Sequence, residues 1–425
     1  MANLLVLIFV ITYLAITLEH PIKVNKSATA LLGAGLLWTV YAVATNDHVM
    51  VKHQLSETIA STAEIAFFLI GAMTIVEVID SHNGFEVITS RIKTTKLVFL
   101  LWIVCILTFF LSAILDNLTA TIVMVSLARK LLKEPSDRLF FAALIVIAAN
   151  AGGAWSPIGD VTTTMLWIGG QVTTLAIIKG LFLPSLINLL APLLVISYSM
   201  RGKNISAPIN ALKKSNTSRF ERNTVFYSGL GILILVPVFK TLTHLPPFMG
   251  ILFGLGILWL VGDLIHYKKD DAEKEELSLV HALKKIDMSS IVFFIGILLA
   301  VATLEHSDIL QSFAGFLDKT IGRQDMIVTL LGLVSAVVDN VPLVAASIGM
   351  YDLTQHPADS FLWEFMAYCA GTGGSILIIG SAAGVAAMGL EKIPFFWYFK
   401  KISWLALIGY FAGIATYIIQ YNLTH

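Results

Sequence analysis

The sequence predicts an all-α polytopic membrane protein built of two inverted repeats, each with five membrane crossings, one re-entrant helical hairpin and one broken helix. Three observations lead there. The 425 residues are 57% hydrophobic and only 13% charged, with a mean hydropathy of +0.82; soluble chains hold about a quarter charged residues. Twelve apolar runs follow one another, several near the ~20 residues that cross a bilayer. Two of those runs are interrupted by the same polar pair, Asp116-Asn117 and Asp339-Asn340.

The runs fall at 2–18, 27–45, 57–80, 97–132, 139–168, 175–199, 223–242, 248–266, 287–304, 326–352, 360–388 and 402–421. The first has no basic n-region and no small-residue cleavage site, so it reads as a retained helix rather than a signal peptide. No Arg- and Ser-rich transit peptide is recognisable. Run 97–132 is too long for one span and is cut by Asp116-Asn117, and run 326–352 is cut by Asp339-Asn340 and Pro342. Runs 139–168 and 360–388 carry Gly and Pro at a density that unwinds helices.

Loop charge decides how the interrupted runs lie. If each is a hairpin that leaves on the side it entered, connections 19–26, 81–96, 129–138, 200–222, 267–286 and 389–401 share one compartment. They carry 2, 3, 4, 6, 5 and 3 basic residues, 23 of the 28 in the chain. If 97–132 crossed instead, one of its basic flanks would land outside. The hairpin arrangement puts both termini outside and the basic stretch 200–222 in the cytoplasm. That stretch is a linker between repeats 1–199 and 223–425. Five crossings in each half make the second half inverted, an arrangement that places a transporter's site between the repeats.

Ordered identities support the repeat. Ser112-Ala113-Ile114-Leu115-Asp116-Asn117 matches Ser335-Ala336-Val337-Val338-Asp339-Asn340, and Gly152-Gly153 with Gly159 matches Gly373-Gly374 with Gly380. The match is incomplete, since Asp160 stands where the second half has Ser381.

An ionised carboxylate at membrane depth costs roughly 2.5–3.5 kcal/mol on insertion scales. Asp116 and Asp339 each precede a helical run, so each also reads as a helix N-cap, yet a neutral Asn or Ser caps as well without a buried charge. The fuller reading is an ion site, with half-helix ends stopping at the midplane and oxygen ligands holding a hard cation. Asp116, Asp339, Thr119 and Asn340 are the first candidates for Na⁺. Asn117, Asn150, Ser156, Asp160, Thr372 and Ser375 complete the ion- and proton-binding set. Glu64 is a further candidate, read either as a proton carrier or as an interfacial salt bridge. No Lys or Arg falls in the middle of a run, so the interior charge suits a small monovalent cation, for which protons compete.

Other classes find little support. Net charge is zero, which argues against nucleic-acid binding. Cys105 and Cys369 make no disulfide framework or metal spacing. No Ser/His/Asp or His-rich arrangement points to an enzyme, and no cofactor is implied. The ten histidines fall in or near loops and read as solvated. A channel would use the same acids but needs a continuous wet path.

The stretches Asp116-Asn117-Leu118-Thr119-Ala120-Thr121, Asn150-Ala151-Gly152-Gly153-Ala154-Trp155-Ser156-Pro157-Ile158-Gly159-Asp160 and Asp339-Asn340-Val341-Pro342 resemble NhaD-type sodium/proton antiporters. These belong to the ion transporter superfamily, with arsenite permeases and dicarboxylate carriers, and the likeness covers nearly the whole chain. It implies a scaffold (helices within 1–45 and 223–266), two transport units (hairpins 97–132 and 326–352, broken helices 139–168 and 360–388), a homodimer and elevator-like alternating access. It further implies Na⁺(Li⁺)/H⁺ exchange in pH homeostasis at a bacterial inner membrane. Dicarboxylate carriers have Ser-Asn-Thr at the hairpin tips; Asp116 and Asp339 stand in place of that Ser. An arsenite permease is the alternative.

Overall fold

Among the described residues every regular element is an α-helix, as expected where lipid leaves backbone polar groups no partner but their own chain. The computed structural model describes residues 1–17, 19–45, 47–89, 94, 96–200, 217–267 and 269–424. In order come α1 (Ala2–Thr17), α2 (Glu19–Ile22), α3 (Lys26–Thr45), α4 (His48–Ser81), α5 (Glu86–Thr89), α6 (Leu97–Leu115) and α7 (Asn117–Leu131). Then come α8 (Pro135–Ala154), α9 (Val161–Ile168), α10 (Thr174–Ser199), α11 (Arg219–Thr243), α12 (Pro247–Ile265), α13 (Asp271–Leu277) and α14 (Leu279–Lys285). The last are α15 (Met288–His306), α16 (Ile309–Thr320), α17 (Gln324–Val334), α18 (Asn340–Met350), α19 (Phe361–Gly373), α20 (Ala382–Glu391), α21 (Phe395–Lys401) and α22 (Ser403–Thr424). Among the described residues, nine helices are long and apolar enough to cross a membrane.

The polar interruptions are real helix breaks: α6 gives way to α7 at Asp116, and α17 to α18 across 335–339. The Gly-rich stretches divide α8 from α9 and α19 from α20. Elsewhere the helices outrun the apolar signal. Run 57–80 becomes the 34-residue α4, capped by Asp47, which accepts from the Met50 amide at 2.9 Å. At 1.5 Å per residue such a helix is about 51 Å long, far beyond a ~30 Å hydrocarbon layer. Hydropathy marks lipid depth, not helix length. The amphipathic α16 has no counterpart among the runs; it buries Leu310 and Ala314 and exposes Phe313 and Phe316. Of the linker 200–222, residues 201–216 lie outside the described residues, and Ser218 and Glu221 form the capping box that starts α11.

The helices pack as two sets. In one, α3 lies on α1 and α15, α4 on α12, α11 and α15, and α11 on α12. In the other, α6 and α7 lie on α8, α17 on α19, and α10 on α22 and α8. The second arm of each break crosses to the other half, α7 packing on α20 and α18 on α9. Helices α15 and α16 meet α18 where the sets adjoin. At one end of the second set, the buried carboxylate of Glu391 in α20 receives Arg129 of α7 at 3.0 Å and Arg138 of α8 at 3.3 Å. Two arginines from the first half are thus tied to the second.

The histidine reading needs correction at two positions. His82 and His266 are buried, at 0% and 4% exposure, just beyond the ends of α4 and α12, their rings stacked 5.0 Å apart. His82 Nδ1 lies 2.7 Å from the Val78 carbonyl, so it carries the proton. Its Nε2 then accepts from His266 Nε2–H at 3.1 Å. Protonating His82 would set two N–H groups against each other. Burial, opposed in part by the Val78 carbonyl, pulls His82 down to about 4, and burial also lowers His266. Glu221 and Lys269, ion-paired at 3.1 Å, act on both rings. The unfolded chain takes up protons at these rings near pH 6.5, the folded one only well below. Their contribution to stability is therefore full above about pH 6.5 and is lost as pH falls toward 4. The melting temperature in detergent is expected to drop between about pH 7.5 and pH 5, and His82→Asn to flatten that slope. An unchanged slope in the variant would show the pair to be irrelevant to it.

Candidate functional site

Each break brings helix ends into the interior. The starts of α7, α9 and α18 converge on a common point, and the start of α20 is tied to it through Asn150 and Ser381, so their positive dipole ends lie close together. What occupies that point is the carboxylate of Asp160, at 2% exposure. Asp160 caps α9: Oδ1 accepts from the Thr162 amide at 3.0 Å and the Thr162 hydroxyl at 2.9 Å. Oδ2 accepts from Asn117 Nδ2, first residue of α7, at 2.7 Å, and from Asn340 Nδ2, first residue of α18, at 3.4 Å. Fully buried Asn150 of α8 extends the network. Its Oδ1 accepts from Asn117 Nδ2 at 3.0 Å, and its Nδ2 donates to Ser375 and Ser381, both at 2.9 Å. One hydrogen-bonded cluster thus joins both helix breaks of each half.

The other two aspartates flank this centre. Asp116 turns back on its own helix, accepting from the Thr119 amide at 2.7 Å and the Thr119 hydroxyl at 2.8 Å. It is held at φ 120°, a conformation that costs an L residue about 1–3 kcal/mol and persists only where the surroundings impose it. Asp339 caps α18 with Oδ1, at 3.3 Å from the Val341 amide. Its Oδ2 receives Lys26 Nζ at 3.0 Å. No Lys or Arg lies in the middle of an apolar run, yet Lys26, the first residue of α3, reaches this carboxylate because its ammonium extends from the helix end. Among the described residues no hydrogen bond joins Asp116 to Asp339.

Two other candidates serve the backbone, and a third stands apart. Ser156 donates to the Ala113 carbonyl at 2.5 Å, tying the α8–α9 break to α6. Thr372 donates to the Tyr368 carbonyl one turn back at 2.6 Å. Glu64 stands apart on α4, close enough to act on Lys240 of α11. Lys240 in turn donates to the Trp167 carbonyl at 2.5 Å and sits 4.3 Å over the Trp167 ring, at the far end of α9 from Asp160.

The two breaks are built alike. Ser112 donates to the Ala149 carbonyl at 2.6 Å, and Ser335 to the Ala370 carbonyl at 2.8 Å. A Cβ on Gly152 would meet the Phe109 carbonyl oxygen at 2.2 Å, and one on Gly373 the Gly332 carbonyl oxygen at 2.0 Å. These glycines let backbone touch backbone across each pair of helices.

Sequence reasoning missed three polar residues. Lys26 was counted as loop charge. Ser381 caps α20 as Asp160 caps α9, accepting from the Gly384 amide at 3.2 Å, and its place beside Gly380 was the available signal. Glu364, buried in α19, accepts from the Tyr417 hydroxyl at 3.0 Å; it is the sole charged residue of run 360–388, and that charge was the available signal.

Residues 7–371 match a family described as citrate transporter. The chain is 51% identical to "Sodium/proton antiporter 1" of Arabidopsis thaliana over 417 residues, 98% of this chain and 72% of that protein. It is 48% identical to "Sodium/proton antiporter 2" of the same plant over 418 residues, 98% and 99% of the two chains. With "Na(+)/H(+) antiporter NhaD" of Alkalimonas amylolytica it shares 30% identity over 443 residues, 97% of this chain and 89% of the relative.

Proposed function

We propose, on the premise that this chain belongs to the CitMHS citrate-transporter family together with its sodium/proton-antiporter relatives, that it exchanges Na⁺ or Li⁺ for H⁺ across a membrane. The observation that carries the reading is the carboxylate of Asp160 at the meeting point of three helix starts. Such a point attracts an anion. A tethered carboxylate already occupies it, so a mobile citrate would meet a fixed negative charge. The same scaffold then serves a cation. Asp116 and Asp339 add negative charge around it, against the single ammonium of Lys26.

Binding follows from the donor set. Asn117 and Asn340 turn their amide N–H groups to Asp160. A cation displaces those hydrogens, and each amide presents its oxygen instead after a half-turn. A proton on Asp160 removes the charge that holds the cation, so Na⁺ and H⁺ exclude each other. Elevator-like movement of the second set of helices against the first would carry the site between faces. The matched packing of the halves supports an inverted repeat, and the basic connections support a cytoplasmic side for them with both termini outside. A homodimer in a bacterial plasma membrane, serving pH homeostasis, belongs to the same proposal.

The test is proton movement in inside-out vesicles holding a preformed pH gradient. Na⁺ and Li⁺ are expected to discharge the gradient, and citrate to leave it unchanged. Silence toward both cations, with citrate uptake or arsenite efflux instead, would sink the reading.

A further inference from the structure

We propose that Lys26 is a tethered cation that occupies Asp339 when neither Na⁺ nor H⁺ does, latching the empty carrier to the scaffold. This deepens the antiport reading and rests on it. Lys26 opens α3, which packs with α1 and α15 in the first set; Asp339 caps α18, which packs with α9 and α19 in the second and also lies against α15 and α16 where the sets adjoin. Their 3.0 Å contact is, among the described residues, the one ion pair that joins the sets. Both side chains are largely shielded, at 24% and 15% exposure, and the ammonium lies 4.4 Å over the Phe293 ring of α15. Little water is left to screen the pair.

The geometry supplies alternatives for the ammonium. The Glu19 carboxylate accepts from the Lys26 amide at 3.2 Å, and Glu19 and Asp287 both act on the side chain. Tyr13 and Asp160 lie within reach of the Asp339 charge. When a transported ion takes the place of the ammonium at Asp339, Lys26 can turn to Glu19 or Asp287, and α18 is released from α3.

The consequence is coupling. An exchanger leaks if its empty carrier crosses, because the cation then moves without a returning proton. A lysine that pairs with the ion-free carboxylate holds that species in place. In this conformation α18 is latched at the first turn of a spanning helix, at the end that carries the basic connections.

The experiment compares Lys26→Met and Lys26→Arg with wild type in proteoliposomes, following Na⁺ and H⁺ together. Lys26→Met is expected to lower the apparent KM for Na⁺ about tenfold, equivalent to about 1.4 kcal/mol, and to release Na⁺ without stoichiometric proton uptake. Lys26→Arg restores coupling. Lys240→Met removes a different scaffold contact, to the Trp167 carbonyl, and is expected to leave KM and coupling as in wild type. A Lys26→Met protein with unchanged KM and unchanged coupling overturns the proposal.

A second measurement needs no transport. Spin labels at Val49→Cys and Gln355→Cys, both exposed, report the separation of the two sets; the native Cys105 and Cys369 are buried. In sodium-free buffer, Lys26→Met is expected to shift or broaden the distance distribution relative to wild type. Identical distributions refute the latch. A wild type that moves no Na⁺ defeats the antiport reading instead, and the distances then decide the latch alone.

Discussion

Asp160→Asn is expected to abolish Na⁺-driven proton exchange while leaving the protein folded. The substitution keeps volume and keeps an oxygen to cap α9, so the bonds from Thr162 survive. What it removes is the one charge at the centre. The new amide would place N–H against the N–H groups of Asn117 and Asn340, and those amides can rotate to offer oxygens. Hydrogen bonding is therefore repaired at modest cost, whereas cation affinity is not. A fall of about a hundredfold or more in apparent Na⁺ affinity is expected, equivalent to about 2.7 kcal/mol. Flux in proteoliposomes measures the loss, and the melting temperature in detergent checks the fold. Asp116→Asn is the informative contrast, since Asp116 bonds only within its own turn and the variant is expected to keep part of its activity. An active Asp160→Asn protein beside an inactive Asp116→Asn would place the centre elsewhere.

The second large effect is on stability. Gly152→Ala and Gly373→Ala are each expected to destabilise by about 3 kcal/mol, the upper range for forcing atoms into a packed interior. The added methyl would lie 2.2 Å from the Phe109 carbonyl oxygen in one case and 2.0 Å from that of Gly332 in the other. Both obstacles are backbone, so no rotamer change relieves them; α6 must part from α8, or α17 from α19. Thermal melts in detergent should fall clearly and similarly for both. Gly231→Ala and Gly256→Ala face open space and are expected to be neutral or mildly stabilising, because Ala favours helix over Gly by roughly 0.5–1 kcal/mol. If Gly152→Ala melted with the Gly231→Ala control, the close approach of α6 and α8 would be wrong.

Legibility varied by residue for physical reasons. Asp116, Asn117, Asp339 and Asn340 stood out because charge is rare in long apolar runs. Asn150 and Asp160 stood out because Gly and Pro cluster between them. Ser381 did not, since a lone Ser beside Gly is ordinary in membrane helices, yet it completes the network around Asn150. His82 and His266 lay at run ends and read as solvated; their burial depends on two helix termini meeting 184 positions apart in sequence. Lys26 read as one more positive charge in a basic connection, and nothing local says that it reaches a carboxylate 313 positions away.

Composition alone makes the chain helical and places it in a membrane, because composition sets the solvent a chain can tolerate and lipid then sets its backbone. The sequence also determines where helices break, since Gly, Pro and buried Asp act locally. Which carboxylate stands at the centre and which is held by a lysine follows from how the helices pack. Hydrogen bonds and ion pairs are short-ranged, so a residue's partner is set by which helix ends converge. That convergence belongs to the packing of the whole chain, not to any one stretch of it.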